Sequence, residues 1–245
     1  MVKFSKKLVT LFMLFPLSAM AETCDMNSAV LKANYTIEAS HADEKSNRGS
    51  SLSLALIRNN AQVAYHYSNK NVIDTWVKYP NNKVALNRYF EAQKRSIEYQ
   101  PTELKRKVNW KKQYQLITEE QIKGMTLITT VGTGCYQQEE YNLTQGETTV
   151  RLTWLPQLHV VKRLQVTQKA HSKVWQLVDI ESSENEINTF FAQRYQYQST
   201  DYSDIGDNES DPFLVKMINL GFVDHNPKGF YNSQGDNISP DNHRH

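Results

Sequence analysis

Apolar and polar residues alternate along much of the first hundred positions, as expected for strands with one buried face. The alternation runs through residues 35–39, resumes over 52–56 and continues over 63–67. Asn59-Asn60 separates the second series from the third, and a turn dipeptide between alternating runs predicts a β-hairpin. A second hairpin is predicted at Pro80-Asn81-Asn82.

The strands of this second hairpin are residues 74–79 and 84–90, and a further short strand is predicted at 96–99. From residue 102 to 117 the alternation gives way to a mixed, basic pattern that predicts a helix. Its lysine run is typical of a solvated helix face. Alternation then returns, with Gly146 and Pro156 as breaks, and predicts strands over 134–143, 148–155, 159–167 and 174–180.

Two helices are predicted near the C-terminus. Ser183 and Glu186 have the spacing of a capping box, and the predicted buried stripe is Ile187, Phe190, Phe191 and Tyr195. The last helix has Asp211 as its N-cap, Pro212 at its first position and Gly221 as its end. Its predicted apolar face is Phe213, Leu214, Met217 and Ile218.

Strands followed by helices, with no internal repeat or Pro/Gly-rich linker, predict one α+β domain over residues 22–221. The segment 222–245 is polar, has little apolar content to bury, and is predicted to be a disordered tail.

The first 21 residues have the pattern of a cleavable signal peptide. Three lysines precede a short apolar stretch over 8–17, and Ala19-Met20-Ala21 supplies the small residues of a cleavage site. The apolar stretch is too short to span a membrane. The mature chain is therefore expected to begin at Glu22, in the periplasm or outside the cell, and not to span a membrane. We also expect no lipid anchor, because Cys24 is not the first residue after cleavage.

The net charge of the mature chain argues against a nucleic-acid partner. Loss of the signal peptide removes three lysines and leaves 25 basic against 26 acidic side chains. Nucleic-acid binding normally requires a clustered basic face, so we expect no nucleic-acid partner.

The two cysteines, Cys24 and Cys135, lie far apart in the sequence. In an oxidising compartment they are expected to form one disulfide. The alternative is a two-thiol metal or redox site, which the lack of a Cys-x-x-Cys spacing disfavours.

Acidic residues concentrate at 201–211, where no basic residue occurs. Asp204, Asp207, Glu209 and Asp211 are candidate ligands for Ca²⁺ or a transition metal, although their spacing is not that of an EF-hand. In the alternative interpretation Asp211 caps the last helix, and Asp207 and Glu209 lie near the positive N-terminus of that helix. His243 and His245 in the tail would form at most a weak metal site.

No motif of a nucleophile, a zinc protease or a phosphate-binding loop is present, so no catalytic residue or cofactor is assigned. Carboxylate pairs such as Asp74 with Glu98 could act as acid and base only if the fold brought them together. An enzyme is therefore less expected than a binding protein, and an exported hydrolase without a recognisable motif stays an alternative.

Aromatic residues crowd the predicted strands, and in a curved sheet they would line an apolar interior. The candidate ligand-lining residues are Tyr65, Tyr67, Trp76, Tyr89 and Trp154. The alternative is that they simply fill the core.

The order of elements resembles the periplasmic lipoprotein-carrier superfamily. The resemblance rests on the hairpins at 51–67 and 74–90, and on Glu139-Glu140-Tyr141 and Thr153-Trp154-Leu155-Pro156 in the later strands. It covers residues 34–182 and implies a curved antiparallel sheet, an incomplete barrel closed by helices, that holds lipid or lipoprotein. No ligand-binding residue carries over, and the region from Ser183 onward has no counterpart.

The hypothesis from the sequence is thus an exported, non-enzymatic protein that binds a lipid, an acyl chain or an envelope protein in a curved sheet. A metal-binding accessory protein is the alternative from another class.

Overall fold

The computed structural model describes residues 23–41, 50–104, 108–205 and 210–220. The predicted signal peptide at 1–21 and the predicted tail at 222–245 lie outside these ranges. The described chain is an α+β fold built on one open sheet of twelve strands, with four α-helices. None of the described helices is long and apolar enough to cross a membrane.

The first six strands follow one another along the chain and in the sheet. They are β1 Val30–His41, β2 Ser50–Asn59, β3 Gln62–Tyr67, β4 Val72–Lys78, β5 Val84–Phe90 and β6 Arg95–Tyr99. Five more form a second meander: β7 Thr126–Val131, β8 Gln138–Gln145, β9 Thr148–Leu155, β10 Val160–Gln168 and β11 His171–Glu181. A short strand, β12 Gln198–Asp201, completes the sheet.

The two meanders join because β1 pairs antiparallel with β11, so the first strand of one half meets the last strand of the other. The spatial order is β12-β6-β5-β4-β3-β2-β1-β11-β10-β9-β8-β7. All pairs are antiparallel except β12 with β6. The sheet therefore depends on a contact between residues about 140 positions apart, such as Ile37 opposite Trp175.

The predicted hairpins are confirmed. β2 and β3 turn at Asn60, and β4 and β5 turn at Asn82, and both asparagines have a positive φ (53° and 61°). Asparagine tolerates this left-handed conformation better than most residues, which explains why these positions end strands. The alternation also placed β1, β3, β6 and β9 to β11 correctly, with shifts of a few residues at the ends.

The helix predicted over 102–117 is wrong for most of its length. Among the described residues of that range only Trp110–Tyr114 (α1) is helical, and a separate helix, α2, spans Glu119–Lys123. Asn109 caps α1, the chain becomes extended at Gln115, and Thr118 caps α2 with a full capping box. Two caps nine residues apart divide the segment into two short helices.

The strand predicted over 134–143 begins only at Gln138. Gly134 has a positive φ (62°) and opens a single 3-10 turn at Gly134–Tyr136, a conformation that breaks the ladder. Strands β7 and β12 were not predicted. Both are edge strands, and β7 has no buried residue, so neither carries a strong alternating pattern.

Other elements cover both faces of the sheet, but the two buried clusters differ in size. The face that we call the inner face carries the larger core cluster, to which β1 contributes Leu31, Ala33, Tyr35 and Ile37. This cluster also contains residues of the N-terminal segment, of α1 and α2 and their connection, and of the last helix, α4 (Pro212–Asn219). The opposite, outer face is covered more locally by α3 (Glu184–Arg194) through Ile187 and Phe191.

The caps predicted for the C-terminal helices are present. Ser183 accepts a hydrogen bond from the Glu186 backbone, and Asp211 accepts one from the Phe213 backbone. The predicted apolar faces are correct in part, because Tyr195 is 54% exposed and Ile218 is 45% exposed. Tyr195 is the C-cap that follows α3, and Ile218 is the last residue but one of α4.

The disulfide between Cys24 and Cys135 is confirmed. It ties the start of the described chain to the turn that follows β7, and both sulfur-bearing residues pack against the inner core cluster. On the way to β1, Asn27 donates a hydrogen bond to Glu184 of α3 (3.2 Å). The N-terminal segment therefore links elements that lie on both faces of the sheet.

Removal of this disulfide should destabilise the protein strongly, because its sulfurs join residues 111 positions apart. The loss of loop-closure entropy in the unfolded chain corresponds to about 4 to 5 kcal/mol. We expect Cys24→Ala/Cys135→Ala to lower the free energy of unfolding by about 3 to 5 kcal/mol in urea denaturation. Reductant should bring the wild type to the same midpoint and leave the double variant unchanged. An unaltered midpoint in the double variant would contradict this prediction.

Candidate functional site

Four of the five candidate ligand-lining residues lie together on the inner face. Tyr65, Tyr67, Trp76 and Trp154 all belong to the inner core cluster, and none is more than 8% exposed. They come from β3, β4 and β9, so both meanders contribute to one aromatic surface. Whether this surface takes a ligand stays a prediction.

Tyr89 lies on the other face. On β5, Val84, Leu86 and Phe90 point to the inner cluster, whereas Tyr89 packs with Ile73, Ile187 and Phe191 in the outer cluster. Its ring meets that of Tyr197 edge to face at 5.9 Å. Burial raises the pKa of Tyr89 to about 12. Tyr89 therefore helps to hold α3 on the sheet and cannot line the same surface as the other four.

A cover made of α1, α2 and the segment between them closes one end of the inner face. Its buried apolar side chains are Leu116 and Ile117 between the helices and Ile122 in α2. Helix α1 itself has no buried residue. Helices of five residues are not stable alone, so the cover depends on what attaches it to the sheet.

The main polar attachment is Arg58, which ends the apolar series Leu52, Leu54 and Leu56 on the inner face of β2. Its side chain is 0% exposed. Nε donates to the Tyr114 carbonyl (2.9 Å), Nη1 to those of Ser28 (3.4 Å) and Leu158 (3.1 Å), and Nη2 to that of His159 (2.6 Å). One guanidinium thus joins the sheet to the N-terminal segment, to α1 and to the β9–β10 connection.

The electrostatics of Arg58 are unusual because no carboxylate among the described residues pairs with it. Burial lowers the pKa of its guanidinium, and the rings of Tyr114, Tyr35 and Tyr65 act in the opposite direction. The Tyr114 ring lies 4.8 Å from the guanidinium carbon, within cation–π distance. A buried charge is tolerated only if its donors find acceptors, and here backbone carbonyls and an aromatic face provide them.

Tyr65 provides a second attachment for α1. Its hydroxyl donates to the Gln113 carbonyl at 2.7 Å. Burial raises the pKa of Tyr65 well above its usual range, so the hydroxyl keeps the proton that it donates. One of the candidate ligand-lining residues is therefore also a contact between the sheet and its cover.

The inner face also contains a buried ion pair next to Tyr65, because Asp74 lies opposite Tyr65 and Arg88 lies opposite Asp74 in the strand register. Arg88 donates to both carboxylate oxygens of Asp74 (2.7 and 2.9 Å), and it is 2% exposed. Burial lowers the pKa of Arg88, but the Asp74 carboxylate outweighs this effect and raises it overall. Asp74 and Glu98 do not form an acid–base pair, because Asp74 binds Arg88 on the inner face, while Glu98 alternates with the inner-face residues Ile97 and Tyr99.

The acidic candidates for a metal site are only partly described. Asp207 and Glu209 lie outside the described residues. Asp211 caps α4 and accepts a hydrogen bond from Arg95 at 2.8 Å, which lowers the pKa of its carboxyl group. Asp204 accepts a hydrogen bond from the Ser203 hydroxyl (3.2 Å). Within the described ranges no three His, Cys, Asp or Glu side chains form a metal-binding group.

Comparison with known proteins gives no family. No family model matches the chain, and no curated protein matches it. Two solved structures of PNGF-II share 8% identity over 69% and 70% of this chain, with TM-scores of 0.31 and 0.33. The chain spans about a third of those PNGF-II chains (34% and 31%).

A candidate outer membrane lipoprotein-sorting protein domain from Vibrio parahaemolyticus is also similar. It shares 9% identity with a TM-score of 0.30, over 68% of this chain and 92% of that domain.

Replacement of Arg58 should loosen the cover. Arg58→Leu leaves four carbonyls without this donor, and we expect a loss of about 2 to 4 kcal/mol in the free energy of unfolding. Arg58→Lys keeps the charge but not the planar fork, so it should restore only part of this loss. Amide hydrogen exchange over residues 108–123 should accelerate in both variants.

The matched control is Arg163→Leu, which removes an exposed strand arginine bound to Gln176. It should change stability by less than about 0.5 kcal/mol. Equal rates of amide hydrogen exchange over residues 108–123 in the wild type and in Arg58→Leu would show that Arg58 does not hold the cover.

Proposed function

We propose that this chain is an exported, non-enzymatic binding protein that takes an apolar ligand, an acyl chain, on the inner face of its curved sheet. The observation that carries the proposal is the nature of the cover. Helix α1 packs on the inner core cluster through two side chains that are only partly buried, Trp110 and Tyr114. Two side-chain to backbone hydrogen bonds attach it to the sheet.

Such a cover can yield to a ligand at a moderate cost. A hydrogen bond of this kind contributes about 0.5 to 1.5 kcal/mol net. The fully buried apolar side chains of the cover are Leu116, Ile117 and Ile122, and exposure of three aliphatic side chains costs about 5 to 9 kcal/mol. Exposure of the partly buried Trp110 and Tyr114 adds to this cost. A ligand that displaces the cover must offset the sum of these free-energy costs.

An acyl chain can offset that cost. Burial of one methylene contributes about 0.8 kcal/mol, so a chain of about a dozen methylenes contributes about 10 kcal/mol. The surface beneath the cover is aromatic and aliphatic and spans both meanders, which suits a long flexible chain. A small polar ligand would gain little from this surface and could not offset displacement of the cover.

The disulfide supports the exported location, because such bonds persist mainly in oxidising compartments. The expected signal peptide points to the same place. Together they favour a ligand that occurs in the cell envelope, such as an acyl chain of a lipid or lipoprotein.

The test is uptake of radiolabelled palmitate in equilibrium dialysis, with native mass spectrometry of protein purified from the periplasm. Leu52→Trp places a bulky ring on the inner face of β2, where Leu52 is only half-buried, and should lower palmitate affinity at least about ten-fold. Val178→Trp is the matched control, since Val178 is 61% exposed. It should bind as the wild type does.

A wild type that carries no apolar ligand from the envelope and takes up no palmitate would refute the proposed function. Equal loss of binding in both tryptophan variants would also contradict it, because the site would then not lie on the inner face.

A further inference from the structure

Strand β7 ends one side of the sheet with a free edge. Among the described strands only β8 pairs with it, so the backbone N–H and C=O groups of its other edge have no strand partner. All six residues of β7 are exposed, and Leu127, Ile128 and Val131 are 51%, 61% and 48% exposed. The strand contains no charged residue and no proline. An edge of this kind is a template for pairing with a further strand.

The opposite edge of the sheet is protected. Strand β12 has four residues, all of them polar, and it ends at Asp201. Short, polar and charged edge strands are a common means by which proteins prevent unwanted pairing. The same chain therefore protects one edge and leaves the longer, more apolar edge open, which indicates that the β7 edge has a use.

Strand β7 is held in place at both ends, although it buries no side chain of its own. Met125 precedes the strand and packs against the inner core cluster. After the strand, Cys135 is fixed by its disulfide with Cys24. A pre-organised edge reduces the conformational entropy that is lost when a partner binds. An incoming segment therefore meets a strand that is already formed.

Two properties of this edge favour a single extended segment over a second copy of the chain. The six residues of β7 span about 20 Å, which offers much less contact than the roughly 800 Å² per partner of a stable dimer. The ladder between β7 and β8 also shifts register at Ile128. A flexible segment can adapt to such a bulge, whereas a folded copy would bring an identical bulge to the same contact.

A lipid surface is a poor match for the same residues. Backbone N–H and C=O groups need hydrogen-bond partners, and the hydrocarbon region of a bilayer supplies none. A strand from a protein supplies these partners in a ladder and covers the exposed apolar side chains of β7 with its own. Residues of high strand propensity, such as valine and threonine, suit this contact best.

We propose that the β7 edge binds an extended, uncharged segment of another exported protein, rich in β-branched residues, as an added strand of the sheet. The segment pairs with the free side of β7 through backbone hydrogen bonds, and its side chains contact Leu127, Ile128 and Val131. This surface is separate from the proposed acyl-chain site, because β7 contributes no residue to the inner core cluster. The inference therefore does not rest on the proposed function.

The probe is a fluorescein-labelled peptide in which threonine and valine alternate, titrated with the purified protein. Fluorescence polarisation should show binding with a Kd below about 1 mM. A peptide of the same length with two adjacent prolines in its middle cannot complete the ladder, and it should bind at least about ten-fold more weakly. The alternating peptide should slow amide hydrogen exchange over residues 126–131 of the wild type and leave exchange over residues 198–201 unchanged.

A pair of variants locates the contact. Leu127→Lys/Val131→Lys places a charge near each end of β7 and should weaken peptide binding at least about ten-fold, since edge lysines oppose strand pairing. Val215→Lys/Ile218→Lys is the matched control, because it makes the same change on α4 at residues that are 40% and 45% exposed. The control should bind the peptide as the wild type does. Both variants should keep the melting temperature of the wild type, because the replaced side chains are exposed.

A wild type that does not bind the alternating peptide in this range would overturn the inference, whatever the result with palmitate. Equal binding of the proline peptide would mean that no ladder forms. Equal binding by Leu127→Lys/Val131→Lys, or unchanged exchange over residues 126–131, would place the contact elsewhere. A peptide-free wild type that sediments as a dimer, and as a monomer once Leu127→Lys/Val131→Lys is introduced, would make a second copy the occupant. Each of these results contradicts the inference and leaves the proposed function standing.

Discussion

A buried guanidinium with no carboxylate partner among the described residues imposes a geometric condition on the rest of the fold. Arg58 can stay on the inner face only if carbonyl groups converge on it, and they come from Ser28, Tyr114, Leu158 and His159. These residues belong to three segments that are distant in sequence. The N-terminal segment reaches this position with the help of the disulfide, and the β9–β10 connection reaches it because β1 and β11 join the two meanders.

The alternation of apolar residues predicted most of the sheet because a strand with one buried face leaves a direct trace in the sequence. The alternation did not predict the elements that are stabilised by contacts other than a buried strand face of their own. The short helices α1 and α2 depend on the sheet beneath them, and the edge strand β7 has no buried face to produce a pattern. Tyr89 lies on the outer face, apart from the other four candidate residues, and only the register of β5 distinguishes it from the equally apolar Phe90 beside it. Arg58 was missed although its position continues the series of Leu52, Leu54 and Leu56, and that continuation was the available signal.

The inner face combines complete burial with a cover of low intrinsic stability. The aromatic residues are packed, yet the helices above them bury few side chains, and polar contacts to the backbone attach them. Hydrogen bonds of this type are directional and break together when a segment moves, whereas interdigitated side chains resist displacement. The outer face differs, because α3 inserts Ile187 and Phe191 into its cluster and is further fixed by the ion pair of Arg194 with Glu91 (3.0 Å). The two faces are thus suited to different roles, one to exchange its covering and the other to keep it.

The central claim is that an acyl chain replaces the cover on the inner face. A crystal structure of the protein with bound palmitate tests this most directly. The account predicts that the chain lies against Tyr65, Trp76 and Trp154, and that the carbonyl of Tyr114 has separated from Arg58. Palmitate on the outer face beside α3, or on the inner face with the Arg58 contacts intact, would contradict it.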